Sequence, residues 1–145
     1  MGNAQKIIDA KSDKLATLGP EATVLEAARL MNDRRIGSVL VMAGEDLVGI
    51  FTERDVMRRV VAKQRNPSTT KLTSVMTKQV ACASPRTSSD ELRMVMREKR
   101  IRHLPVVDDD TMDVLGIISI GDLNRAHMDV QEKTIHYLEQ FMSVP

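Results

Sequence analysis

The chain has 145 residues, enough for one compact domain or two small interlocked halves. Its net charge of +1, from 21 basic and 20 acidic residues, argues against a bulk electrostatic nucleic-acid binder, which needs a clustered excess of Lys and Arg. At 42% hydrophobic but only 2% aromatic, with no Trp, it must build its core from Val, Ile, Leu and its 10 Met.

Ile7, Ile8 and Leu15 lie in a polar N-terminal stretch that reads as a short helix or a lead-in packing on the body. Ala16-Thr17-Leu18 is extended in character and is stopped by Gly19-Pro20. Thr23 with Glu26 makes a capping box, and Val24, Ala27, Ala28 and Met31 follow at helical spacing. Ile36 to Met42 is β-branched and apolar, hence a buried strand; Ala43 to Asp46 is a turn and Leu47 to Phe51 the partner strand of a hairpin. Thr52 caps a second helix running to about Lys63, with Val56, Met57 and Val60 facing inward. Gln64 to Thr70 is a linker.

The second half repeats this order. Leu72 to Met76 is a turn or short helix, and Val80 to Ala83 matches the first short strand. Pro85 follows Pro20 by 65 positions, Ser88 with Glu91 repeats the capping box, and Leu92, Val95 and Met96 mark the helix face. Leu104 to Val107 and Val114 to Ile118 form the second hairpin. Asp122 to about Met128 continues a helix, and Gln131 to Met142 is a further amphipathic segment. Gly49-Ile50-Phe51-Thr52-Glu53-Arg54-Asp55 recurs as Gly116-Ile117-Ile118-Ser119-Ile120-Gly121-Asp122, now 67 positions on, so the second hairpin turn carries two extra residues. Each half is strand, helix, strand, strand, helix.

These repeats resemble a tandem pair of cystathionine β-synthase (CBS) domains, a Bateman module. The resemblance rests on the two heptapeptides at 49–55 and 116–122 and on Arg-Ile-Arg-His-Leu-Pro-Val-Val-Asp at 100–108. It implies an α+β fold of two β-α-β-β-α repeats packed with pseudo-two-fold symmetry, with CBS domains at 10–66 and 75–131 and a C-terminal helical extension at 132–145. It further implies a disk-like homodimer and a regulatory module that binds AMP, ADP, ATP, NAD(H) or S-adenosylmethionine in clefts between the repeats and signals to a downstream protein.

Under that resemblance Asp55 and Asp122, each in the first turn of a helix, are the ribose acceptors, and Thr52 and Ser119 stand where free backbone N–H groups favour a phosphate. Ordinary N-caps explain either corner alone; their recurrence in register favours a ligand. Arg54, opposite Gly121 in the repeat, reads as a phosphate contact or a solvated helix-start Arg. Arg102 and His103, opposite Gly37 and Ser38, stand where family members carry basic phosphate contacts; a half-buried, satisfied His103 is the alternative. Ala16, Ile36, Gly37 and Ile117 would line an adenine slot beside Asp122, and Ala81, Ile101 and Ile50 one beside Asp55, although a plain core contains the same residues. Lys11 reads as a phosphate contact or, more simply, as a solvated lysine.

No catalytic or metal-ligand set emerges: His103, His127 and His136 lack ligand spacing with Cys82, and Asp108 to Asp110 with Asp113 reads as a solvated turn. An enzyme is therefore not expected. The competing function is a structural or partner-binding dimer without a small-molecule ligand. A single cysteine, no signal-peptide pattern and no membrane-length apolar run lead to the expectation of a cytoplasmic protein that does not engage membranes.

Overall fold

The computed structural model describes residues 2–12 and 14–128. The expected segment Gln131 to Met142 and the expected extension 132–145 lie outside the described residues. In chain order the elements are α1 (Ala4–Asp9), β1 (Thr17–Leu18), α2 (Val24–Arg34), β2 (Ser38–Ala43), β3 (Asp46–Thr52), α3 (Glu53–Asp55), a π-helical segment (Val56–Val61), α4 (Leu72–Val75), α5 (Ser89–Lys99), β4 (His103–Val107) and β5 (Val114–Ser119). A further helix, α6, covers 120–128. The chain divides into two compact units: one spans residues 13–81, and the other joins the N-terminal residues up to Ser12 to the chain from Cys82 onward.

In the first unit β1 pairs parallel to β2, and β2 pairs antiparallel to β3. The hairpin register sets Ser38 opposite Thr52, Val39 opposite Phe51 and Val41 opposite Gly49. Val39, Val41 and Phe51 join Val24, Ala27 and Met31 of α2 and Leu72 and Val75 of α4 in one buried cluster. The Thr23 hydroxyl accepts from the Glu26 amide at 3.2 Å, as a cap should. Glu26 makes no return bond among the described residues, so the expected box is only half formed. The edge is tied instead by the linker, through Val24 N–H to Thr70 O (2.9 Å) and Leu72 N–H to Ala22 O (2.8 Å). At the far end of α2, Arg35 takes a left-handed φ of 55°, and Ile36 N–H bonds back to Met31 O at 3.0 Å. That is a Schellman closure made without glycine.

The helix expected after Thr52 is α-helical for one turn only. Ala62 N–H then donates to Met57 O and Arg65 N–H to Val60 O, five residues back. The wider turn keeps Val60 fully buried and Val56 partly buried, but it carries Met57 outward, 57% exposed, against the sequence expectation.

The second unit repeats these features at the same offsets. Ser88 caps α5 through the Glu91 amide (3.2 Å), again as half a box among the described residues, and Arg100 closes the helix at φ 55° with Ile101 N–H bonded to Met96 O. β4 and β5 pair with His103 opposite Ser119 and Val106 opposite Gly116, and both hairpins are bulged at the equivalent place, after Val41 and after Val106. The two extra residues fall in the turn, where the Asp108 carboxylate accepts from the amides of Asp110 and Thr111, both at 2.9 Å. Those bonds hold its pKa below the ordinary carboxylate value.

The strand expected at Val80 to Ala83 contracts to one parallel bridge, Ala83 to Val106. Pro105 is the cause. It occupies the position of Leu40, whose N–H reaches Ala16 O at 3.0 Å, and proline has no N–H to give.

The N-terminal lead-in is α1, with Ala4 and Ile7 buried. It does for the second unit what α4 does for the first: Asn3 bridges Ser88 as Lys71 bridges Thr23. Each short helix lies on a glycine of the facing strand. A Cβ on Gly49 would stand 2.4 Å from Met76 Sδ, and one on Gly116 would stand 3.1 Å from Ile8 Cγ2. Gly49→Ala should therefore lower unfolding free energy by about 1–3 kcal/mol through overpacking, read as a drop in the urea midpoint at constant slope. Gly116→Ala should cost less, and equal costs would show that the glycines are not held by the approach of α4 and α1.

Candidate functional site

Each unit ends its hairpin in the same corner, a strand that turns into a helix at a hydroxyl residue with Asp three positions on. In the first unit the Thr52 amide and hydroxyl donate to Asp55 Oδ2 at 2.9 and 3.2 Å, and the Asp55 amide returns a bond to Thr52 Oγ1 at 3.3 Å. In the second unit the Ser119 amide donates to Asp122 Oδ2 at 2.8 Å and the Asp122 amide donates to Ser119 Oγ at 3.1 Å. These are reciprocal boxes, complete where those of α2 and α5 are not. Glu53 N–H donates to Gly37 O (3.0 Å), as Ile120 N–H does to Arg102 O (2.9 Å), so the strand opposite holds the first helical amide in both units.

Both carboxylates also meet arginines that sequence reading did not single out. Arg59 Nε lies 3.6 Å from Asp55 Oδ1, and Arg125 Nη2 donates to Asp122 Oδ1. The signal was present as an Arg four or three residues after the Asp on one helix face. The spacing differs because the repeat carries Ala126 where the first unit has Arg59, so Arg125, one position earlier, meets the carboxylate instead.

At Asp122 a third group arrives from 111 positions away. Lys11 Nζ donates to Asp122 Oδ2 at 2.9 Å and to Ile117 O at 2.8 Å. Lys11 is thus an ion-pair partner with its side chain 24% exposed, not the solvated lysine of the simpler sequence reading. Nothing local in the sequence marks that contact. At the matching place in the first unit, Ile50 O is met by the Thr77 backbone N–H at 3.0 Å.

The remaining candidates fall around these corners. Ser38 is buried opposite Thr52, and His103 is half-buried opposite Ser119. Arg102 is exposed and precedes β4 instead of lying in it. Arg54 is partly exposed, with no hydrogen-bond or ion-pair partner among the described residues. Gly121, its counterpart, is open: a Cβ there would reach only Ser119 Oγ at 3.5 Å and Arg125 Nη1 at 3.7 Å. Ala16, Ile36, Gly37, Ile50 and Ala81 belong to the first unit, Ile101 and Ile117 to the second. Ile36 and Ile101 serve the helix closures described above, and Ala16 O serves the β1–β2 pairing.

Burial pushes the Asp122 carboxyl up, but the Lys11 ammonium and the Ser119 amide and hydroxyl outweigh it and hold the pKa below the ordinary value. A depressed folded-state pKa contributes stability that is fully present above the unfolded value of about 3.9 and is lost as pH falls through the folded value. Lys11→Met should therefore destabilise at pH 7, and the loss should shrink below about pH 4 as Asp122 protonates. Urea melts across that range check it; a pH-independent loss would mean that the ion pair contributes nothing.

A model of the CBS domain matches residues 7–62 and again 72–129. The CBS domain-containing protein YhcV of Bacillus subtilis is 32% identical over 115 residues, which is 79% of this chain and 80% of the relative. The solved structure of a putative signal-transduction protein with CBS domains from Burkholderia ambifaria aligns with a TM-score of 0.84 at 38% identity, covering 89% of this chain and 96% of that one. The CBS domain pair of the protein MJ0100, crystallised with 5′-methylthioadenosine and S-adenosyl-L-methionine, aligns with a TM-score of 0.73 at 25% identity over 83% of this chain and 94% of that one. The chain belongs to the CBS-domain family and carries two copies of the domain.

Proposed function

We propose that this CBS pair is a regulatory module that binds adenine nucleotides at the Thr52–Asp55 and Ser119–Asp122 corners. The observation that carries the proposal is that the hydroxyl–carboxylate box, with an arginine at the second carboxylate oxygen, is built twice at equivalent positions. A carboxylate offers about four acceptor sites. The two Thr52 donors sit on Asp55 Oδ2, and Arg59 at 3.6 Å lies beyond hydrogen-bonding distance of Oδ1. Oδ1 is therefore open to the two hydroxyls of a ribose.

Cations stand against both carboxylates, Arg59 at Asp55 and Lys11 with Arg125 at Asp122, which suits a phosphorylated ligand. His103, opposite Ser119, and Arg102 complete the proposed site of the second unit. The adenosine-containing ligands named for MJ0100 support the class of molecule. In this reading the module works as a homodimer without catalysing a reaction, and a ligand acts through its differential affinity for two arrangements that a partner protein reads.

A second reading, a partner-binding dimer without a ligand, draws on the apolar surface of the first unit, where Met57 is 57% and Val61 64% exposed. A thermal-shift screen of the full chain against AMP, ADP, ATP, NAD, NADH and S-adenosylmethionine separates the two. Ligand at about 100 times its dissociation constant should stabilise by about 2.7 kcal/mol. Asp55→Asn and Asp122→Asn, which keep an acceptor for the capping amide, should each weaken the response. A flat screen with wild-type protein would establish the second reading and sink the first.

A further inference from the structure

We infer that Lys11 is the specificity-determining residue of the Asp122 corner, making it select the phosphorylated, anionic forms of adenosine over neutral or cationic ones. The inference rests on the adenine-nucleotide reading above and names which chemical class that one corner accepts.

The acceptor sites of the two carboxylates are spent differently. Asp122 Oδ2 is filled by the Ser119 amide at 2.8 Å and the Lys11 ammonium at 2.9 Å, and Oδ1 takes Arg125. Three of about four acceptor sites are thus occupied on a side chain that is only 4% exposed, against two filled on the 14% exposed Asp55. Sugar recognition at Asp122 is correspondingly weaker.

What this corner has in exchange is donors. An ammonium carries three N–H groups, and those of Lys11 that are bound go to Ile117 O and Asp122 Oδ2. The third has no protein acceptor among the described residues, and the side chain is 24% exposed, so it faces an arriving ligand in water. Arg125 donates to Asp122 from a side chain that is 70% exposed, so most of its five donors remain available. Gly121 leaves the space above Ser119 Oγ and Arg125 open, where the first unit has Arg54. Lys11 plus Arg125 against Asp122 gives a local surplus of one positive charge at the start of α6.

The carboxylate is therefore already neutralised and does not repel a phosphate. Two anchored bonds hold the ammonium in place, so little side-chain freedom is lost when it takes a third partner. A cationic sulfonium such as that of S-adenosylmethionine meets like charge instead.

The test is isothermal titration of the full chain, wild type, Lys11→Met and Lys11→Arg, with adenosine, AMP, ATP and S-adenosylmethionine. Wild type should bind AMP and ATP at least about tenfold tighter than adenosine, the factor expected of one charge-assisted hydrogen bond. In an Asp55→Asn background, which weakens the other corner, Lys11→Met should collapse that ratio while still binding adenosine, and Lys11→Arg should retain it. Raising salt should shrink the wild-type ratio, a measurement that needs no variant and holds even where Lys11→Met folds poorly. In the Asp55→Asn background, an AMP-to-adenosine ratio that folded Lys11→Met leaves unchanged, or S-adenosylmethionine binding as tightly as ATP when Lys11 is present, overturns the role of Lys11 and leaves the adenine reading standing. Wild-type protein that binds none of the four overturns the adenine reading itself, and this inference with it.

Discussion

The register of the two hairpins is the constraint on which the rest depends. Pairing Ser38 with Thr52, and His103 with Ser119, fixes where each second strand stops. A one-residue slip would turn every buried side chain of the hairpin to the opposite face. With the register set, Gly37 O and Arg102 O stand ready for the first helical amides, and the hydroxyl residue falls where its own amide is not needed by the strand ladder. That amide then goes to the aspartate three residues on, and the aspartate amide returns to the hydroxyl. The reciprocal box is thus a consequence of ladder geometry, and the carboxylate it orients sits at this corner because the strand ended there.

The glycines at 49 and 116 extend the same logic outward. Each lies three residues before its hydroxyl corner, on the strand face approached by a short helix. Without side chains at these positions, Met76 and Ile8 come down onto the strand. Residues that follow these helices are then brought beside the carbonyls of Ile50 and Ile117, Thr77 by its backbone in one unit and Lys11 by its ammonium in the other. Packing at a glycine and chemistry at a carboxylate are therefore linked through one strand.

Much of this was legible in the sequence because it was written twice. The repeat offset of 65 changing to 67 located the turn insertion between Val107 and Val114, where the Asp108 turn lies. The caps at Thr23, Ser88, Thr52 and Ser119 were readable from residue type and spacing. What escaped was of two kinds. The π-helical turn has no composition signature, so Met57 was placed inward when i→i+5 bonding sends it out. The loss of strand at Val80 to Ala83 came from Pro105, whose missing N–H acts on a strand far away in sequence. The partner of Asp122 was equally non-local, since Lys11 precedes it by 111 residues and no periodicity reaches that far.

That last contact is where duplication stops being symmetry. The carbonyls of Ile50 and Ile117 are equivalent acceptors on equivalent strands, and each needs a donor because it is withdrawn from water. A backbone amide at Ile50 leaves the outer oxygen of the neighbouring Asp55 without a hydrogen bond among the described residues, with Arg59 as its ion-pair partner. An ammonium at Ile117 satisfies the carbonyl and the carboxylate together. The lysine consumes an acceptor site on Asp122 for which Asp55 has no counterpart donor among the described residues. Two copies of one motif thus keep the same box but leave their carboxylates with different numbers of unfilled acceptor sites. That difference follows from whether one carbonyl is met by a main-chain or a side-chain nitrogen.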